Sequence, residues 1–234
     1  MEAQEQTPTP NNNVIELKNL TISHNDTILL KDINVVIQRG EFVYLIGKSG
    51  AGKTSLLRTL YADRCVEKGG EVHVCDFDLT HIKRRHIPQL RRHLGIVFQN
   101  ARLLGDRNVH DNLYFVLRAT GWKSRTEIDK RIAEVLESVG LSGKAASSTH
   151  ELSEGELQRV GIARAIINNP ELILADEPTG NLDPITSSEI LSLLQKINKE
   201  NNVTMLISTH DFMMIDKYPS RLLCCENGTI INPQ

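Results

Sequence analysis

The sequence predicts an α/β fold in three parts: a parallel-sheet core, an antiparallel β lobe ahead of it, and an α-helical lobe inserted into it. Three observations carry this reading. "VIELKNLTIS" and "TILLKDINVVIQ" alternate apolar and polar residues, the period of half-buried antiparallel strands. "FVYLI", "ELILAD" and "TMLIS" are denser apolar runs, as strands buried on both faces require. Between about residues 99 and 169 the spacing becomes helical.

Taken in order, "MEAQEQTPTPNNN" (1–13) is polar and acidic, without the basic start or apolar stretch of a signal peptide. It is expected to be a disordered tail, with one domain over 14–234. Short strands follow, broken at "HND" and "RG", and then the buried strand "FVYLI". "KTSLLRTLYAD" has helical spacing, while "EVHVCDFDL" and "GIVFQ" read as further strands. In "SRTEIDKRIAEVLESVG", Ser124 and Glu127 stand at capping-box spacing, Ile128, Ile132, Leu136 and Val139 share a face, and Gly140 closes the helix. "TSSEILSLLQKINKEN" repeats the pattern with Thr186 and Glu189. "RLLCCENGTII" reads as a hairpin turning on Asn227-Gly228.

Lys and Arg total 27 against 29 Asp and Glu, so the bulk charge gives no reason to expect nucleic acid. No apolar run approaches the roughly 20 residues that span a bilayer, and a cytosolic protein, able to sit on a membrane through a partner, is expected. Cys65, Cys75, Cys224 and Cys225 lack zinc-site spacing and read as free thiols.

The chemistry begins at "GKSGAGKT", residues 47–54. It fits G-x-x-x-x-G-K-[ST] between a strand and a helix, the context of a phosphate-binding loop. Gly47, Gly50 and Gly52 let backbone N–H groups turn inward around phosphate oxygens, and the next helix points its positive end at the same anion. Lys48, Ser49, Ala51 and Ser55 complete the expected nucleotide loop. Lys53 is expected on the β- and γ-phosphates and Thr54 on Mg²⁺. "LILADE" ends a buried strand in Asp176, a second Mg²⁺ candidate, followed by Glu177, the candidate general base for an attacking water. No N-K-x-D guanine reader is present.

The ordered series "GKSGAGKT", "FQN", "LSEGELQR", "LILADEP", "NLDP" and "STHD" resembles the ATP-binding-cassette (ABC) ATPases from about Val14 to the C-terminus. The resemblance implies a P-loop NTPase with a RecA-like parallel core and ATP and Mg²⁺ as ligands. It also implies a homodimer formed head to tail on ATP binding. In that dimer the segment matching "LSEGE" covers the partner's γ-phosphate, so Ser153, Gly155 and Glu156 become nucleotide-binding residues. By the same resemblance Gln99 touches Mg²⁺ and the attacking water, Asp183 lies in the loop crossing the dimer interface, and His210 contacts the γ-phosphate. Where relatives carry an adenine-stacking aromatic, this chain offers His24, with Tyr44 as an alternative. Glu154 departs from the usual glycine, and its carboxylate is expected to face solvent or a basic neighbour such as Arg159.

"ADEPTGNLDP", "EFVYLIGKSGAGKTSLLRTLYAD" and "LGIVFQ" look most like the cell-division branch of the family, with lipoprotein-release and macrolide-exporter ATPases as alternatives. This implies an integral membrane subunit received near residues 99–120, and a protein peripheral on the inner face of the cell membrane. A nucleotide-gated switch with negligible hydrolysis is the reading from a different class that Glu154 keeps open.

Overall fold

The computed structural model describes residues 12–24, 27–67 and 69–232. Most of the expected tail therefore lies outside the described residues, and Asn13 already opens the first strand.

Two sheets organise the chain. The first has the order β2-β1-β4-β5, formed by β1 (Asn13–His24), β2 (Thr27–Gln38), β4 (Glu71–Val74) and β5 (Phe77–Asp78). Its pairings are antiparallel. The strands end at the expected places, β1 at His24 and β2 at Gln38, but they are two long strands and not several short ones, with register shifts inside them; Asn19 and Asp32 take positive φ of 47° and 53° and absorb the irregularity. "EVHVCDFDL" is not one strand. Cys75 and Asp76 take φ of 47° and 64° and fold it into a hairpin. The apolar pattern concealed the turn because Cys75 is itself buried.

The second sheet has the order β10-β9-β3-β8-β7-β6, from β3 (Phe42–Gly47), β6 (Leu94–Val97), β7 (Leu172–Asp176), β8 (Thr204–Thr209), β9 (Arg221–Glu226) and β10 (Thr229–Ile231). The first five of these pair in parallel. Only β10 runs antiparallel, returning through Asn227 and Gly228, both at positive φ, the geometry of a type I′ turn. The hairpin ties the two sheets together, for the Lys31 N–H on β2 donates to the Gly228 carbonyl at 2.8 Å.

Helices α1 (Lys53–Leu60) and α2 (Ile87–Arg92) precede the inserted lobe. The lobe contains α3 (Val109–Thr120) and α4 (Arg125–Ser138), and α5 (Glu154–Ile166) runs from it back to the sheet. α6 (Pro184–Asn201) and α7 (Phe212–Lys217) follow. Ser124 caps α4 by accepting the Glu127 N–H, and Gly140 lies just past its end with φ 75°. The second capping expectation is corrected. α6 starts earlier, because Asp183 is its cap and Pro184 supplies the first helical φ. Thr186 therefore lies inside the first turn, and Glu189 pairs with Arg159 at 2.8 Å.

Apolar residues sort into two cores. One packs Leu113, Ile132, Val160 and Leu194 against one side of the parallel sheet, joining it to the helical lobe. The other packs Leu17, Ile37, Leu57 and Leu60 with Leu45 and Leu206, joining the sheet to the antiparallel lobe and α1. Gly95 on β6 lets α5 approach the sheet, since a Cβ there would press into the Ala165 carbonyl, 3.0 Å from its carbon. Gly95→Ala should therefore destabilise the fold by about 1–3 kcal/mol, the usual cost of overpacking, measured as a lower midpoint of urea unfolding.

Candidate functional site

β3 delivers the phosphate loop. It is buried from Phe42 to Ile46, and the chain then turns through Gly47, Gly50 and Gly52, at φ 151°, 79° and 97°. Gly52 also packs tightly, for a Cβ there would lie 3.0 Å from Leu30. α1 begins at Lys53, whose ammonium donates to the Gly47 carbonyl at 2.7 Å and the Lys48 carbonyl at 3.2 Å. The same ammonium stands 3.7 Å from Glu177. It is thus held over the loop by the chain's own oxygens, ready to exchange them for phosphate oxygens.

β7 and β8 supply the acidic half. The Asp176 carboxylate accepts hydroxyls from Thr54 at 3.0 Å and Ser208 at 2.7 Å. Glu177 takes a left-handed φ of 47°, and its N–H donates to the Ser208 hydroxyl and carbonyl at 3.0 and 3.1 Å. Such a conformation costs on the order of 1–3 kcal/mol and persists only where surroundings enforce it. It turns the Glu177 carboxylate to His210, 3.1 Å away. Thr54, Asp176 and Ser208 form a donor set of one carboxylate and two hydroxyls. That set fits a cation which keeps several waters and shares phosphate oxygens, as Mg²⁺ does.

Gln99 is exposed just beyond β6. Its amide donates to Asn181 at 3.0 Å, and its carbonyl oxygen has no hydrogen bond among the described residues. Gly180 makes room for it, since a Cβ at 180 would meet the Gln99 amide nitrogen at 2.9 Å. Gln158 on α5 donates to the Phe98 carbonyl at 3.0 Å, and Arg164 donates to the Ala101 and Arg102 carbonyls at 2.7 and 2.8 Å. Burial pulls the Arg164 guanidinium below its ordinary pKa. Sequence reasoning missed Ser208, Gln158, Asn181 and Arg164. Ser208 stood beside His210 within "STHD", where the position at a buried strand end was the available signal. Gln158 and Arg164 act on backbone carbonyls and Asn181 on the Gln99 and Asn100 side chains, and spacing along the chain carries no trace of that.

A cleft of about 870 Å³ runs along the phosphate loop and takes in Lys48, Ser49, Ala51, Glu177 and His210. His24 is absent from its wall. The residue is exposed at the end of β1, with its ring nitrogen 2.6 Å from Arg64. The Tyr44 alternative is corrected: the ring is fully buried, its hydroxyl donates to the Tyr218 carbonyl at 3.0 Å, and desolvation pushes the phenol up to about 12. Ser55 sits in the first turn of α1, half-buried, with its carbonyl accepting from Thr59.

The segment "LSEGE", the signature segment by the resemblance above, lies at the start of α5. Ser153 accepts the Glu156 N–H, and Glu156 accepts the Ser153 N–H at 2.9 Å and hydroxyl at 3.1 Å. Lys144 closes on Glu156 at 2.8 Å. Gly155 passes close to α6, where a Cβ would meet the Thr186 methyl at 2.7 Å. Glu154 is exposed and has no ion pair among the described residues; Arg159, the expected neighbour, is bound instead to Glu189 and to the Val139 carbonyl. Asp183 accepts the Ile185 and Thr186 N–H groups at 2.9 and 3.1 Å. The Thr186 hydroxyl and these N–H groups hold its carboxyl below the usual range.

The ABC transporter family profile matches residues 30–180, more than half the chain and inclusive of the loop, the signature segment and the β7 carboxylates. The chain belongs to the ABC transporter family. The cell division ATP-binding protein FtsE of Streptococcus pneumoniae serotype 2 is 41% identical over 222 residues, 94% of this chain and 95% of that protein. The methionine import ATP-binding protein MetN of Carboxydothermus hydrogenoformans is also 41% identical, over 93% of this chain but 65% of its own length. The dimeric structure of MJ0796, a bacterial ABC transporter cassette, superposes with a TM-score of 0.82 at 34% identity, covering 92% of this chain and 96% of that one. A post-hydrolysis dimer of the same cassette holds ADP and Pi. This ABC chain is accordingly an ATPase, and no helix among its described residues is long and apolar enough to cross a membrane.

The Glu156 carboxyl in this ABC signature segment is held down at about 2, chiefly by Lys144 and then by Ser153, against an ordinary 4.5. Its stabilising contribution is present above the unfolded value and is lost as pH falls through the folded one. The stability gap between wild type and Glu156→Gln should stay constant from pH 7 to about 5 and shrink between about 4.5 and 2, followed by urea unfolding across that range.

Proposed function

We propose that the chain binds and hydrolyses ATP with Mg²⁺ as one half of a head-to-tail homodimer, and relays this cycle to an FtsX-like integral membrane subunit in bacterial cell division. The observation that carries the chemistry is the Asp176 carboxylate holding Thr54 from the phosphate loop at 3.0 Å while the next residue, Glu177, stands between Lys53 and His210.

In this reading the backbone of Gly47 to Thr54 cradles the phosphates and Lys53 trades the Gly47 and Lys48 carbonyls for phosphate oxygens. Thr54, Asp176 and Gln99 hold Mg²⁺, which when bound offsets phosphate charge. Glu177 accepts the proton of the attacking water, and His210 steadies the Glu177 carboxylate and faces the γ-phosphate. His24 stands at the adenine end through its exposed ring.

Ser153, Gly155, Glu156 and Asp183 serve the nucleotide held by the second copy. Exposed apolar residues support a second copy on this face: Ile185 follows Asp183, and Phe212 and Met213 follow His210, each more than 60% exposed. Scattered exposed hydrophobics are ordinary, but a cluster beside a catalytic cleft marks an interaction surface. Driving an open population to nearly closed takes about 5.5 kcal/mol of differential binding, which charge-assisted hydrogen bonds at two terminal phosphates supply.

The cell-division role rests on similarity to FtsE along nearly the whole of both chains. MetN matches with equal identity over a smaller share of its own length, which favours the division reading. This reading has the membrane subunit dock near residues 99–120, and it is supported there by the exposure of Leu104 and Phe115, with Arg107 over the Phe115 ring at 5.1 Å. The protein then sits in the cytoplasm, peripheral on the inner face of the membrane. Glu154 favours a second reading, a nucleotide-gated switch with negligible turnover.

Glu177→Gln should lower phosphate release by at least about a hundredfold, as loss of a general base does, while trapping a dimer with Mg-ATP in size-exclusion chromatography; a pure switch would show little change in either. Co-purification from native membranes should yield a membrane subunit of the FtsX kind, and Phe115→Asp should weaken that association while sparing ATP binding. Recovery of a lipoprotein-release, macrolide-export or methionine-import subunit would reassign the role.

A further inference from the structure

Glu154 and Lys48 are two charges that the chain leaves without a partner among its described residues. Both are exposed, and neither side chain makes an ion pair or hydrogen bond among the described residues. The cations near the start of α5 are engaged: Lys144 with Glu156, and Arg159 with Glu189. Within the phosphate loop, Lys53 is bound by two carbonyls and Glu177. Lys48 remains as the uncommitted ammonium on the wall of the nucleotide cleft.

We propose that Lys48 of one protomer pairs with the partner's Glu154 across the closed dimer, so that the unusual carboxylate of the signature segment is neutralised where it meets the phosphates. This rests on the head-to-tail dimer proposed above. There the start of α5 faces the other copy's phosphate loop, on which Lys48 is the exposed cation. An unpaired carboxylate beside a desolvated terminal phosphate is strongly repelled. A lysine at the same spot removes that repulsion and adds attraction, and two-fold symmetry forms the pair twice. The pair acts as a lock on correct docking, because charge complementarity at an interface fixes register more than it raises affinity. Within a single protomer Glu154 already complements the α5 dipole, but that role is independent of Lys48.

The test is a double-mutant cycle on the full chain carrying Glu177→Gln, with saturating Mg-ATP, in which sedimentation gives the dimer dissociation constant for the parent, Lys48→Gln, Glu154→Gln and the double variant. Each single substitution should weaken the dimer by about three- to tenfold, and the double variant should be no weaker than either single one. The Lys48→Glu, Glu154→Lys exchange should recover most of the parent's affinity. Additive losses, or a tighter dimer with Glu154→Gln, would overturn the pair. ATP affinity of dilute monomer serves as the control: Lys48→Gln weakening it with no coupling to Glu154 would assign Lys48 to its own phosphates and overturn the pair as well. If the Glu177→Gln parent stays monomeric, the dimer reading itself fails, a result distinct from additivity.

Discussion

The Asp176 carboxylate is the joint on which the site depends. One oxygen accepts hydroxyls from Thr54, on the helix that follows the phosphate loop, and from Ser208, at the end of β8. Three segments far apart in sequence are thereby fixed at the same end of one parallel sheet. The sheet order places β7 beside β8 and β8 beside β3, so the register of strands buried on both faces sets these distances. Ser208 is fully buried, and leaving its hydroxyl without a partner there would be costly. It bonds Asp176 and accepts from the Glu177 N–H, and so passes the position of one carboxylate on to the next.

The same economy connects the site to the helical lobe. Residues 98–102 form a loop, yet α5 grips their carbonyls through Gln158 and Arg164. Arg102 and Arg164 both lie over the Phe98 ring, at 4.5 and 5.7 Å. A displacement of α5 would thus carry Gln99 with it, and with Gln99 the Asn181 and Asn100 contacts beside the β7 end. These bonds form a continuous physical connection between the lobe and the cleft, and α5 is also the helix that bears the signature segment.

Much of this was legible in the sequence because it depends on local constraints. Gly47, Gly50 and Gly52 appear where the backbone needs positive φ, and Asn227-Gly228 names its own hairpin. The paired roles of Thr54 and Asp176 follow from one motif lying beside another. What stayed hidden depends on contacts between distant segments. The hairpin at Cys75-Asp76 was masked by a buried cysteine that continues the apolar pattern. The start of α6 was misread because Thr186 and Glu189 imitate a capping box, whereas Asp183 offers two N–H acceptances and Pro184 fixes the first turn. Tyr44 looked available for stacking although its place within "FVYLI" already argued for a strand buried on both faces, and the ring is fully buried.

In the proposed dimer the signature segment would change its hydrogen bonding. In the isolated chain the Ser153 hydroxyl is engaged with Glu156, donating to the carboxylate and accepting its N–H. For that hydroxyl to donate to a phosphate oxygen in the proposed dimer, it must rotate away from Glu156. The carboxylate is not stranded by this, because Lys144 and the Ser153 N–H still hold it at 2.8 and 2.9 Å. Lys144 therefore allows Ser153 two partners at little cost, so the helix start keeps its cap while its hydroxyl becomes available. Glu154, one residue from the cap, has no ion pair among the described residues, and the proposed dimer is where it would find one.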